Sequence, residues 1–233
     1  MRPEVVVTPD PAGLAAERMA ETAARGGHVV LSGGSTPRAA YELAAGMDVD
    51  WSAATLWFGD ERCVPPDHEH SNYGMVKQAL LDRIDGEQPA VKRMHGELGP
   101  DAGADAYEAE LRGVFGEDLP RLDLVLMGLG PDVHTASLFP NDDALGETER
   151  AVVGVPTPGM APLVSRITVT LPLVNAAREV VFLVSGEDKA DAVARAFSGV
   201  PDPSAPASLV RPENGSFTLL ADEAATRLLE DAR

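Results

Sequence analysis

Short apolar runs alternate with alanine-rich amphipathic stretches along most of the chain. The apolar runs predict strands at 5–8, 29–31, 56–58, 122–127, 167–170 and 180–184. The amphipathic stretches predict helices at 11–25, 37–45, 72–81, 102–114, 188–197 and 223–229. Strands that alternate with helices are typical of a largely parallel sheet covered by helices on both faces. Ligands bind at the carboxyl ends of such strands, so the loops that follow the strands are where chemistry is expected.

The length and the charge balance narrow the classes of protein and partner. The chain has 233 residues, and no repeat or linker divides it, so we expect a single α/β domain over 1–233. It carries 37 Asp and Glu against 19 Lys and Arg, a formal net charge of −18. This balance argues against nucleic acid and membrane surfaces as partners, because both are polyanions. The oligomeric state is left open, and a monomer is compatible with the sequence.

Cysteine content and apolar-run length bear on location. The single cysteine, Cys63, excludes an internal disulfide and a Cys-rich zinc cluster. The first apolar stretch has only three valines, too few for a signal peptide. No run approaches the ~20 apolar residues of a membrane span. We therefore expect a cytoplasmic protein.

The loop after the second predicted strand carries two glycines and two hydroxyl residues. Gly33 and Gly34 let a ligand approach the backbone closely. Ser35 or Thr36 suits the N-cap of the next helix, and Pro37 suits its first position. Free amides at a helix start bind anions, so the loop predicts either a phosphate site or an ordinary capped connection. It matches neither a Walker loop nor the dinucleotide fingerprint.

Three charged residues follow the third predicted strand. Asp60 could act as a base or bind sugar hydroxyls, and Arg62 could hold an anion by a two-pronged contact. The alternative is a solvated loop with a local ion pair. The segment 67–70, Asp-His-Glu-His, contains metal-ligating residue types, but no third ligand is evident elsewhere, so a metal site is disfavoured.

The loop after the fourth predicted strand contains the pair Asp132 and His134. Residues two apart in extended backbone point the same way, so the carboxylate could orient the imidazole. A histidine side chain titrates near neutral pH and is a competent general base there. The alternative is a histidine that fills a polar gap. Gly128 and Gly130 suggest a nucleotide fingerprint, but Val133 occupies its third glycine position, so a nicotinamide site is rejected.

Two cations lie beside later elements. Arg166 immediately precedes a predicted strand, and Lys189, one of only three lysines, lies at the start of a predicted helix. A cation there opposes the helix dipole, which hints at a functional role. The alternative for Lys189 is an exposed residue paired with Glu187 or Asp191. The chain has no Gly-x-Ser-x-Gly elbow, so a serine-esterase mechanism has no support.

Five segments in this order resemble the glucosamine-6-phosphate isomerase/6-phosphogluconolactonase family, and most closely its lactonases. They are LSGGSTP at 31–37, FGDERCVPPDHEHSNYG at 58–74, GLGPDVHTASLFP at 128–140, RITVTLP at 166–172 and SGEDKADAV at 185–193. The resemblance implies a three-layer, Rossmann-like α/β fold similar to glucosamine-6-phosphate deaminase and ribose-5-phosphate isomerase. It also implies hydrolysis of 6-phospho-D-glucono-1,5-lactone in the oxidative pentose phosphate pathway, without a metal or other cofactor.

The resemblance also implies roles for individual side chains. His134 is expected to deprotonate the attacking water and then protonate the departing ring oxygen, with Asp132 orienting it. Arg62 and the loop amides near Gly34 are expected to stabilise the oxyanion. The residues expected to bind the phosphate and the sugar are Gly33, Gly34, Ser35, Thr36, Asp60, Arg166 and Lys189.

One departure and two rival functions accompany this hypothesis. The family usually has glycine before the motif histidine, whereas this chain has Val133. A positive φ at that position would strain a valine. The rivals are an amino-sugar phosphate isomerase/deaminase and a non-catalytic sugar-phosphate sensor, although no DNA-binding appendage or basic stripe accompanies the domain.

Overall fold

The buried aliphatic runs form the strands of one parallel sheet in the computed structural model, which describes residues 2–197 and 199–229. The sheet has seven strands in the order β1-β10-β9-β6-β2-β3-β5. The strands of the molecule are β1 Glu4–Val7, β2 His28–Leu31, β3 Thr55–Phe58, β4 Asp60–Arg62, β5 Ala90–Val91, β6 Leu124–Met127, β7 Val152–Val155, β8 Arg166–Val169, β9 Glu179–Val184 and β10 Ser216–Ala221.

Helices pack on both faces of this sheet, which confirms the expected three-layer α/β architecture. They are α1 Pro11–Ala24, α2 Ser35–Ala45, α3 Asn72–Ala79, α4 Pro100–Phe115, α5 Leu171–Ala176, α6 Ala190–Phe197 and α7 Glu223–Thr226. All four residues of β6 are buried, as a central parallel strand requires. Among the described residues, no helix combines the length and apolar character needed to cross a membrane.

A second, three-stranded antiparallel sheet has the order β4-β8-β7. Its register pairs Asp60 with Thr168 and Arg62 with Arg166. The prediction of a loop at 60–62 was therefore wrong, and the strand predicted at 167–170 belongs to this sheet rather than to the parallel one. Three consecutive charged residues carry no apolar signal, so only pairing with a strand far along the chain makes them a strand.

Other differences from the prediction concern boundaries and polar or short elements. Helix α2 begins at Ser35 with Gly34 as its N-cap, so neither Ser35 nor Thr36 is the cap and Pro37 is not the first helical residue. The cap has φ of 109°, a conformation that glycine adopts without strain. The strands β5, β7 and β10 and the helix α5 were not predicted.

The strand order places the chemistry-bearing loops together. Successive strands are added on one side through β2, β3 and β5, and the chain then returns to the other side of β2 with β6. Such a reversal opens a crevice at the carboxyl ends of the strands on either side of it. The loops after β2 and β6 meet there, and the small sheet lies beside them.

Candidate active site

A cleft of about 240 Å³ opens at this reversal point. The loops after β2, β6 and β9 form one wall, and β4 and β8 of the small sheet contribute the other. The cleft is lined by nine of the ten residues singled out from the sequence: Gly33, Gly34, Ser35, Thr36, Asp60, Arg62, His134, Arg166 and Lys189. The tenth, Asp132, reaches the cleft through its contact with the histidine.

The imidazole of His134 is held by Asp132. Its Nδ1 lies 2.5 Å from Oδ1 of Asp132, and its backbone N–H donates to the same oxygen at 3.2 Å. The ring of Phe139 packs beside it, with centroids 5.0 Å apart. A proton on Nδ1 that is donated to the carboxylate leaves Nε2 with a lone pair, so the dyad presents a base to the cleft.

Gly130 makes room for that ring. A Cβ at this position would lie 2.0 Å from Nδ1 of His134, far inside van der Waals contact. The backbone of Gly130 also donates to the carbonyl of His134 at 2.9 Å and accepts from Val133 at 3.0 Å. The φ of Gly130 is not positive, so the backbone conformation does not require glycine here. The residue is instead needed because the imidazole packs directly against its Cα.

The backbone on both sides of His134 is strained. Val133 has φ of 71° and Ala136 has φ of 48°, in the left-handed region that disfavours a side chain. The expected strain at Val133 is thus present. The Val133 side chain is fully buried in the main core, and its carbonyl accepts from the amide of Ala207 at 3.0 Å. Tertiary packing holds the strained conformation, as is common at functional sites.

Two guanidinium groups lie side by side on the small sheet. Arg62 and Arg166 are cross-strand partners, an arrangement that like charges disfavour. Burial, and then the neighbouring charge of Arg62, lower the pKa of Arg166. Among the described residues, the buried Nε of Arg62 has no hydrogen-bond partner. An anion bound beside the two groups would offset the repulsion between them.

Further donors face the same space from helix termini. Helix α2 has no side-chain cap, so amides of its first turn are left without intrahelical partners, next to the side chains of Ser35 and Thr36. The ammonium group of Lys189 donates to the carbonyl of Leu129 at 3.0 Å, which fixes it at the cleft wall. Helix N-termini attract anions, so this side of the cleft is suited to a phosphate.

Comparison with known proteins places the chain in a family. The family model described as "Glucosamine-6-phosphate isomerases/6-phosphogluconolactonase" matches residues 10–219. The chain belongs to this family. The 6-phosphogluconolactonase of Streptomyces coelicolor is 40% identical over 213 residues, covering 86% of this chain and 81% of that protein.

Solved structures share the fold. A 6-phosphogluconolactonase from Trypanosoma cruzi aligns with a TM-score of 0.84 at 30% identity, covering 98% of this chain and 97% of that one. A monomeric glucosamine-6-phosphate deaminase aligns with a TM-score of 0.82 at 20% identity, covering 98% of this chain and 100% of that one. The second likeness concerns the fold alone.

Glu61 was not singled out from the sequence, yet its hydrogen bonds hold the start of helix α3 against strand β4, next to the cleft. Its carboxylate accepts from the amides of Asn72 and Tyr73 at 2.7 and 2.8 Å and from the Ser71 hydroxyl at 3.0 Å. Burial raises its pKa, although these hydrogen bonds act in the opposite direction. Because side chains alternate along a strand, Glu61 points away from the cleft and holds the start of α3.

Asp60 has two partners besides the cleft. Its Oδ2 accepts from the hydroxyl of Ser137 at 2.6 Å, and its Oδ1 accepts from the side-chain amide (Nδ2) of Asn72 at 3.0 Å. Neither partner was singled out from the sequence, although both lie inside the family segments. The residue is only 6% exposed, and these contacts fix the orientation of its carboxylate.

The histidines of segment 67–70 contact each other. The amide of His70 donates to Nδ1 of His68 at 3.1 Å, and the ring centroids are 5.2 Å apart. Of the residues that the structure describes, none form a group of three or more His, Cys, Asp or Glu side chains placed to hold a metal ion.

Asp222 ties the turn before Lys189 to helix α7, and its loss should show as a pH-dependent change in stability. It accepts from the hydroxyl of Ser185 and from the amides of Gly186 and Ala225 at 2.9 and 2.8 Å. Burial alone would raise its pKa, but these hydrogen bonds outweigh burial and lower it. The resulting stabilisation is present at neutral pH and disappears as the pH falls through the folded-state pKa.

We therefore expect Asp222→Asn to lower the free energy of unfolding at neutral pH. The difference from the wild type should shrink in acid, because the wild-type carboxylate is then protonated. Urea unfolding of both proteins over a pH series measures this. A difference that stays constant across the series would contradict the role of the ionised carboxylate.

Proposed function

We propose that the chain is a 6-phosphogluconolactonase, which hydrolyses 6-phospho-D-glucono-1,5-lactone to 6-phospho-D-gluconate in the cytoplasm. The observation that carries the proposal is the Asp132–His134 pair, with its 2.5 Å contact, in a cleft whose walls bear two arginines and a lysine. Hydrolysis of a phosphorylated lactone needs a base beside the ester carbon and cations for the phosphate. The family membership and the named relatives support the same reaction.

The reaction needs only water and the imidazole as proton carriers. Nε2 of His134 takes a proton from the water that attacks the lactone carbonyl carbon, and the carbonyl oxygen becomes an oxyanion. When the tetrahedral intermediate collapses, the C–O bond to the ring oxygen breaks and the imidazolium returns its proton to that oxygen. Asp132 stabilises the charged ring between the two steps. A positioned base of this kind contributes a rate factor of about 10²–10⁴.

The remaining cleft residues divide between oxyanion and phosphate. We assign Arg62 and the amides near Gly34 to the oxyanion, where each donor is worth about 3 kcal/mol. We assign Arg166 and Lys189 to the phosphate, together with donors from the start of α2. The hydrogen bonds of Arg166 to the carbonyls of 160–164 use Nε and Nη2, so Nη1 can serve the anion. Asp60 has acceptor capacity left for a sugar hydroxyl.

The decisive experiment is a stopped-flow assay with freshly generated 6-phosphogluconolactone. The lactone also opens without a catalyst, so the uncatalysed rate must be subtracted. Opening faster than this background supports the proposal. Ammonia release from glucosamine-6-phosphate would favour a deaminase instead. Binding of 6-phosphogluconate without faster lactone opening would favour a sensor.

Removal of a cleft cation should weaken substrate binding more than turnover. We expect Lys189→Gln to raise KM by roughly ten-fold or more, since a hydrogen bond to a charged group contributes about 1.5–3 kcal/mol. Lys92→Gln is the matched control, because Lys92 pairs with Glu110 outside the cleft lining at 3.1 Å. An unchanged KM in Lys189→Gln and also in Arg166→Ala would place the phosphate elsewhere.

A further inference from the structure

One face of the small sheet contacts both the cleft and the loop that carries His134. Side chains two apart on a strand share a face, so Asp60 and Arg62 of β4 point the same way. Their cross-strand partners on β8 are Thr168 and Arg166, respectively. The arginine pair faces the cleft, and the Asp60–Thr168 pair lies one step along the same two strands.

Asp60 and Thr168 both form hydrogen bonds with Ser137, which lies in the loop that carries His134. The hydroxyl of Ser137 donates to Oδ2 of Asp60 at 2.6 Å. The amide of Ser137 donates to Oγ1 of Thr168 at 3.1 Å. Ser137 and Thr168 are both fully buried. Because Ser137 is inaccessible and is not part of the cleft lining, its hydroxyl is not a nucleophile for the lactone.

A tight turn connects Ser137 to the imidazole. The amide of Leu138 donates to the carbonyl of Thr135 at 3.0 Å, which closes the turn. The hydroxyl of Thr135 donates to the carbonyl of Gly128 at 2.9 Å, and Ala136 has φ of 48°. The turn has little freedom, so a shift of Ser137 also moves His134.

We propose that Ser137 is a positioning residue, which fixes the distance between the imidazole of His134 and the arginine pair. This inference rests on the proposed function, which assigns His134 as the base and assigns Arg62 and Arg166 to the anionic groups of the substrate. The strands β4 and β8 then position both the imidazole and the arginine pair. Asp60 acts partly through Ser137, in addition to any contact with a sugar hydroxyl.

Two substitutions remove the link in different ways. Ser137→Ala deletes the hydroxyl that reaches Asp60, and Thr168→Val deletes the acceptor for the Ser137 amide. We expect each to lower kcat by roughly ten- to a hundred-fold with KM near the wild-type value, because a misplacement of about 1 Å can cost 10²-fold. Thr168→Ser keeps a hydroxyl and should recover most of the kcat lost in Thr168→Val.

Thr218→Val is the matched control for Thr168→Val. Thr218 is an equally buried strand threonine on β10, and its hydroxyl accepts from Arg18 at 3.3 Å, away from the cleft lining. It should leave kcat unchanged, whatever it does to stability. A decrease in kcat shared by both valine variants would overturn the proposal, since it would reflect general loosening.

The tautomer of His134 gives a readout that needs no substrate. Long-range ¹H–¹⁵N spectra at alkaline pH should show a proton on Nδ1 in the wild type, because Asp132 accepts it. Ser137→Ala should give a mixture of tautomers as that contact loosens. A wild-type spectrum and wild-type kcat in Ser137→Ala would overturn the proposal, and so would a rise in KM alone. If the wild type fails to open the lactone, the proposed function fails, whereas the spectra still test the positioning.

Discussion

Replacement of His134 by alanine should reduce kcat by about 10²–10⁴-fold, the usual contribution of a positioned general base. The variant keeps the cations and amides of the cleft, so KM should change little. Stability should also change little, because the imidazole is partly exposed and its polar partner, Asp132, is itself solvent-accessible. Asp132 is expected to remain a charged residue at the cleft rim without a ring to orient.

The measurement is the background-corrected rate of lactone opening, with thermal unfolding as a check on the fold. His95→Ala is the matched control, since His95 contacts Glu97 at 3.3 Å and is not part of the cleft lining. Added imidazole should restore part of the activity of His134→Ala by supplying the missing base. Turnover at the wild-type rate in His134→Ala would exclude this residue as the base.

Gly130→Ala should cause a similarly large loss by moving the imidazole. The new methyl group would lie 2.0 Å from Nδ1, whereas ordinary contacts begin near 3.4 Å. The ring must therefore shift by about 1 Å or more, which can cost 10²-fold in rate. Gly130 lies outside the positive-φ region, so alanine avoids the strain of a left-handed conformation there. The main expected effect is therefore the displacement of the ring.

Gly113→Ala provides the matched control for that substitution. A Cβ at Gly113 would meet nothing within 4 Å, and the residue lies inside helix α4. Alanine there should leave kcat unchanged and stabilise the protein by up to about 1 kcal/mol. Wild-type kcat in Gly130→Ala, with an ordered ring in its crystal structure, would mean that the imidazole is not needed in the position described.

Local sequence pattern was sufficient for the central strands β2, β6 and β9 of the parallel sheet. The runs around Val30, Val125 and Phe182 are apolar on both sides of the strand, and only a strand covered on both faces buries such a run completely. Each run is followed by glycine or small polar residues, which marks the carboxyl end. Parallel strands bring these ends to one edge, so the loops that carry Gly34, His134 and Lys189 could be predicted to converge. Arg62 and Arg166 lie on the antiparallel sheet, so this argument does not apply to them.

The local sequence pattern could not predict the pairing of strands that are far apart in the chain. The Asp60–Thr168 register joins residues far apart in sequence, and the three charged residues 60–62 carry no strand signal of their own. Ser137 has the same difficulty, because its importance depends on both of those partners. Val133 differs again: the resemblance pointed to its strain, but only tertiary packing shows that the core keeps the valine in the left-handed region.

Because cations line the cleft, the thermal stability of the protein should depend on the anion in the buffer as well as on the amino-acid sequence. A solute that binds only the folded state stabilises it by about 2.7 kcal/mol at a hundred times its Kd. Phosphate or sulfate bound to Arg166 and Lys189 should therefore raise Tm, and substitution of either residue should reduce the increase. Rankings of thermostability among variants of this cleft will hold only when the anion and its concentration are kept the same.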